Sequence, residues 1–154
     1  MTQTVSQNDI LAKVALEDAL GIVICQPYVG ITVSDEAGLV AAFAFNGFDR
    51  ISVDITAIVV KPLAISAARA IADYVFRRLG VRRVTATTLA TNDRAINRLY
   101  RLGFECEGRL KERFAQGDAL IFGLLASKQK LLRSHEQSEP PRSGRHCERA
   151  NELQ

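Results

Sequence analysis

Apolar residues recur at helical spacing in three stretches of this chain and gather into short β-branched runs between them. Ile10, Leu11, Val14 and Leu20 follow the 3.6-residue period behind Asn8 and Asp9, either of which can cap a helix, and Gly21 is placed to stop it. Residues 22–25 and 29–33 are β-branched runs split by Pro27, and residues 39–45 follow the turn-forming Asp35-Glu36-Ala37-Gly38. Asn46-Gly47-Phe48-Asp49 then turns the chain into a strand over residues 51–60, which pairs with its predecessor as a hairpin. Pro62 ends that strand. Residues 64–79 have one helical stripe through Ala68, Ile71, Ala72, Val75, Phe76 and Leu79, stopped by Gly80. A strand over 84–89, a short helix over 92–102 and a hairpin of 104–114 with 119–125, turned at Gln116-Gly117-Asp118, complete the pattern. Strands, helix, strand, helix and hairpin in that order predict an α/β domain, a mixed sheet with helices packed on its faces.

Composition sharpens this at the C-terminal end. With 154 residues, 47% of them apolar, the chain has the size of one domain with a real core. From residue 134 onward, however, only Cys147, Ala150 and Leu153 are apolar, and Glu139-Pro140-Pro141-Arg142-Ser143-Gly144 interrupts any regular element. Residues 1–132 are therefore the expected domain and 133–154 a disordered polar tail, because so little apolar surface cannot offset the entropy of ordering. No apolar run is long enough to cross a bilayer, and the polar N-terminus lacks a basic stretch leading into an apolar one, which predicts a cytoplasmic protein without a membrane partner.

Charge and cysteines exclude more than they assign. A formal charge of +3 is small for a nucleic-acid binder. Arg77, Arg78, Arg82 and Arg83 are better explained as cations complementing a helix C-terminus, so the residues argue against a nucleic-acid partner. The modest positive field suits an anionic cofactor. Cys25, Cys106 and Cys147 are too far apart to signal a disulfide framework or a zinc site, and Cys25 and Cys106 read as small apolar strand residues. His146 beside Cys147 is half of a metal site without the other half, so no metal is expected.

The segment richest in chemistry is Asn92-Asp93-Arg94-Ala95-Ile96-Asn97-Arg98-Leu99-Tyr100-Arg101-Leu102-Gly103-Phe104. Helical geometry buries Ala95, Ile96, Leu99 and Leu102, sets Asn92 at the helix start and puts Tyr100 on the flank of the stripe. With the continuation Glu107-Gly108-Arg109-Leu110-Lys111, this segment resembles the closing motif of the GNAT N-acetyltransferase superfamily, nearest to its ribosomal-protein and phage-associated branches. The order of elements from residue 39 to 125 is similar to the family's as well, and the similarity is weakest in the first forty residues.

The resemblance implies a GNAT-like, mostly antiparallel sheet with helices on both faces and splayed central strands. It implies acetyl-coenzyme A as acyl donor, with no metal, and a primary amine on a protein or small molecule as acceptor. By this resemblance Ala57, Ile58 and Val59 line the pantetheine arm, Lys61, Ser66 and Arg69 serve the pyrophosphate at a helix start, and Asn92 meets the pantetheine amides. Tyr100 takes the proton donor's position by the same resemblance, while the strand placement of Asp54, the only carboxylate inside the central strand, makes it a candidate general base acting directly or through water. Each has a plainer reading: Tyr100 as a ring packed on the sheet, Asp54 as a solvent-facing strand residue or partner of an arginine, and Asn92 as a helix cap. Glu105, Glu107, Arg109, Lys111, Glu112 and Arg113 alternate along the hairpin and suggest one polar face, from which Glu107 or Glu112 could attract a cationic amine.

The chain departs from the family at one place. Where the family has a glycine-bearing phosphate loop, this sequence reads Lys61-Pro62-Leu63-Ala64-Ile65-Ser66, and glycine is what lets backbone approach phosphate without a Cβ between them. An N-acetyltransferase is the first expectation, and a non-catalytic GNAT-like binding or assembly module the alternative. Nothing in the sequence fixes the oligomeric state, a homodimer included.

Overall fold

A computed structural model describes residues 2–132, and the tail expected over 133–154, with its His146-Cys147 pair, lies outside these residues. Among them the elements are β1 (Thr4–Gln7), α1 (Asp9–Leu20), β2 (Tyr28–Asp35), β3 (Gly38–Asn46), β4 (Ser52–Val59), α2 (Ile65–Asp73), a π-helical turn (Tyr74–Arg78), β5 (Arg83–Leu89), α3 (Asp93–Leu102), β6 (Glu105–Phe114) and β7 (Gly117–Leu125). The chain divides into two compact units after Val84. No helix among the described residues is long and apolar enough to cross a membrane.

The first unit is built on the antiparallel order β1-β2-β3-β4. Its register fixes two faces. Tyr28, Gly30 and Thr32 align through Asn46, Ala44 and Ala42 with Asp54, Thr56 and Ile58, while Ile31, Phe43 and Ala57 belong to the other side.

Helix α1 has the expected ends: the Asn8 side chain accepts from the Leu11 amide, and Gly21 closes the helix at φ 63°. The face it buries is different. Ala12 and Leu16 are fully buried, whereas Ile10, Leu11, Val14 and Leu20 are exposed. The reason is the floor beneath. Leu16 packs with Ala42, Ala44 and Ile24, and a Cβ built on Gly30 would stand 2.7 Å from both Ala12 Cβ and Asp9 Cα. Small residues on both surfaces let backbones approach, so the small-residue side of α1 faces the sheet rather than its larger apolar side. Asp9 locks the contact by accepting from the Gly30 amide at 2.7 Å.

Residues 22–25 do not form the expected strand. The Glu17 carboxylate takes the Ile24 amide at 2.7 Å, a bond that replaces a sheet partner, and Cys25 is exposed in the connection. Conversely β1, whose one large apolar residue gives no run to detect, pairs with β2 over four residues. The helix expected over 64–79 keeps α geometry only to Asp73. Beyond it the Leu79 amide reaches back to the Tyr74 carbonyl at 2.9 Å, the wider π spacing.

In the second unit the order is β5-β7-β6. α3 is capped by Asn92, whose side chain accepts from the Ala95 amide, and is closed by Gly103 at φ 94°. Its apolar stripe is half-buried rather than buried. The β6/β7 hairpin carries two register shifts, at Cys106/Gly108 and at Leu110/Phe114. The first corrects the expectation of a single polar face: Glu105 and Gly108 oppose Gly123 and Ile121, while Arg109 opposes Leu120, so Glu105 and Arg109 lie on opposite faces.

Candidate functional site

Asp54 lies on the β4 face that α1 covers, opposite Asn46 in the ladder. Partial burial pushes its carboxyl above the usual carboxylate range, the nearby Asp49 charge adds to this, and Arg83 opposes it. Asp49 is ionised more readily than usual because the Ser52 and Ile51 amides and the Ser52 hydroxyl donate to it. Gly47 lies close against Asp54, where a Cβ would stand 2.9 Å from Asp54 Oδ2. A carboxylate that holds its proton more tightly than normal, yet remains exposed, can accept one from an incoming ammonium.

Ala57, Ile58 and Val59 form the C-terminal half of β4 and pair with Phe43, Ala42 and Ala41. Ala57 is exposed, while Ile58 packs against the Leu16 cluster. The strand ends where the Val60 and Lys61 amides both donate to the Val40 carbonyl, at 2.8 and 3.2 Å.

The loop that follows is tied at both ends. Lys61 Nζ bonds both carboxylate oxygens of the half-buried Asp35, at 2.9 and 3.2 Å, and holds that carboxyl below its usual range. The Ala64 amide donates to Gln3 Oε1 at 2.7 Å, and Gln3 Nε2 donates to the Pro62 carbonyl at 2.8 Å. Helix α2 then starts at Ile65 without a side-chain cap and without an acid in its first turn. Ser66 and Arg69 are exposed on that helix. Amides at such a start have no acceptor within the helix and carry the positive end of its dipole, which is suited to an anion. Gln3 and Asp35 were not identifiable from the sequence, since a lone glutamine before a weak strand and an acid in a turn carry no pattern.

In the second unit Tyr100 is 41% exposed, its ring set edge-on to Phe122 with centroids 5.4 Å apart. The packing fixes the ring. The Asn92 side-chain oxygen is spent on the Ala95 amide at 3.1 Å, the capping role. On the hairpin, Asp118 accepts from Arg109 Nε at 2.7 Å and from the Glu112 amide at 2.9 Å, the latter holding Glu112 at φ 51°. Cys106 is half-buried on β6. Among the described residues no group of acidic, histidine or cysteine side chains could hold a metal ion.

No family model and no curated protein sequence matches this chain. Solved structures do. A spermidine/spermine N-acetyltransferase of Vibrio cholerae superposes with a TM-score of 0.69 at 16% identity, over 82% of this chain and 96% of its own. A ribosomal-protein-S5-alanine acetyltransferase of Vibrio fischeri gives 0.58 at 17% identity, over 78% and 70% of the two chains. A GNAT-family acetyltransferase of Bacillus anthracis gives 0.53 at 22% identity, over 62% and 65%. The fold of this chain is that of the GNAT acetyltransferases.

Proposed function

We propose that this protein is an acetyl-coenzyme A-dependent N-acetyltransferase acting on a primary amine. The observation that carries the reading is the shared fold, which spans nearly all of a polyamine N-acetyltransferase chain and extends to a protein-alanine acetyltransferase. The acceptors named for these two proteins have an amino nitrogen in common. Fold alone does not confer activity, so the chemistry rests on the residues.

In the proposed reaction Asp54, directly or through a water, takes the proton from the acceptor ammonium. The freed amine attacks the thioester carbonyl carbon, a C–N bond forms and the C–S bond breaks, the departing thiolate takes its proton from the Tyr100 hydroxyl, and the second proton lost by the acylated nitrogen restores that hydroxyl through solvent. Ala57, Ile58 and Val59 flank the pantetheine arm, with Asn92 as a further amide contact. The α2 start with Ser66 and Arg69 receives the pyrophosphate, and Lys61 contributes positive potential while held by Asp35. The raised carboxyl of Asp54 and the exposed, ring-anchored Tyr100 support these roles.

Titration calorimetry of acetyl-coenzyme A and coenzyme A into the purified chain tests the reading, with thermal melting alongside. A ligand at about a hundred times its dissociation constant stabilises a fold by roughly 2.7 kcal/mol. With a productive amine, Tyr100→Phe is expected to lower kcat about a hundredfold, the lower range for a lost general acid, without changing the melting temperature. The loop without glycine favours a second reading, a non-catalytic module of the same fold. Absence of binding at millimolar cofactor would decide for it.

A further inference from the structure

Helix α2 begins with Ala64-Ile65-Ser66-Ala67, and this local sequence supplies neither half of a capping box. In such a box the N-cap side chain bonds the third helical amide, and a Glu or Gln at that third position reaches back to the N-cap amide. Here the N-cap and the third position are both alanine, and the second bond comes from elsewhere in the chain. Gln3, just ahead of β1, accepts from the Ala64 amide at 2.7 Å. Its own amide donates to the Pro62 carbonyl at 2.8 Å, so one neutral side chain grips the loop by a donor and an acceptor together.

We infer that Gln3 is a positioning residue for the phosphate end of the acyl donor, holding from outside the loop the backbone that leads into α2. This rests on the acetyltransferase reading above. The grip falls on the N-cap amide and spares the three that follow, at Ile65, Ser66 and Ala67, which the helix itself leaves without acceptors. Because Gln3 is uncharged it adds no negative potential beside those amides, as a glutamate in the same place would. The Lys61 to Asp35 bond holds the other end of the same loop, so residues 61–64 are bounded on both sides before any ligand arrives. A preordered site loses less entropy on binding, which is the advantage that removing Gln3 would forfeit.

The test compares coenzyme A with S-acetylpantetheine, which has the arm but no pyrophosphate, on the full chain and on Gln3→Ala and Gln3→Met. Methionine keeps the length and apolar stem and removes both hydrogen bonds. Both variants are expected to bind coenzyme A roughly tenfold more weakly, about one lost hydrogen bond in an ordered site, and S-acetylpantetheine unchanged. Melting each variant with and without coenzyme A refers the shift to that variant's own unliganded state, so a general loss of stability does not imitate the effect. Equal loss of affinity for both ligands, an unchanged coenzyme A affinity, or full retention by Gln3→Met would overturn the inference. Tighter binding of coenzyme A by Gln3→Ala would also overturn it and would make Gln3 a competitor for the Ala64 amide. If the unaltered chain binds neither ligand, the acetyltransferase reading itself fails.

Discussion

Asp54 shows at a single residue how function and stability separate. Its carboxyl is raised mainly by burial, so its charge opposes folding slightly, and that small cost disappears as the pH falls and the group takes up a proton. Asp54→Asn is expected to melt no lower than the unaltered chain at pH 7 while losing most acetyl transfer; a clear drop in melting temperature would make Asp54 a structural partner. Asn92 divides the other way. Its oxygen is a cap, so Asn92→Ala is expected to cost about 1 kcal/mol in urea denaturation while Asn92→Asp costs little. Gly30→Ala brings a methyl against the backbone of Asp9 and against Ala12, and an overpacking loss of about 2–3 kcal/mol is expected by the same measurement. Sequence reasoning placed Asn92 at its helix start because capping chemistry is local. It could not place Gly30, because what crowds a glycine comes from another element.

Among elements, those whose signals are local agree with the sequence. The caps of α1 and α3, the β3/β4 hairpin and the β6/β7 turn region follow from residues within a few positions of one another. The departures share a cause as well. The buried side of α1 was set by small residues on β2 and β3, the non-strand at 22–25 by a glutamate from α1, and β1 by a partner strand more than twenty positions away. Besides Glu17, three aspartates organise connections among the described residues: Asp35 at the end of β2, Asp49 before β4 and Asp118 in β7. Each is held below the ordinary 3.8 by the bonds it accepts. A lowered carboxyl contributes stability that is present above the unfolded value and lost as pH falls through the folded one. Melting temperature is therefore expected to hold steady down to about pH 5 and to drop steeply below about pH 4, less steeply in Asp118→Asn, which has already lost its share.

For the molecule, the fold was legible, and the tethers of the proposed donor loop were not. The order of strands and helices and the motif from Asn92 to Phe104 led to the fold that the solved structures share. The loop after β4 looked deficient, because its missing glycines are visible in sequence and the tethers from Gln3 and Asp35 are not. An anionic ligand at a helix start in a protein of this charge should bind less tightly in salt, so coenzyme A affinity is expected to fall between 50 and 300 mM NaCl, followed by titration calorimetry.

The floor under α1 also has a genetic meaning. Every single-base missense change of a glycine codon encodes a residue with a Cβ, and at position 30 even the smallest of these pushes against Asp9 and Ala12. No one-step missense mutation at that codon is neutral for the fold, while Ile10 and Val14 on the outer side of the same helix are free to drift.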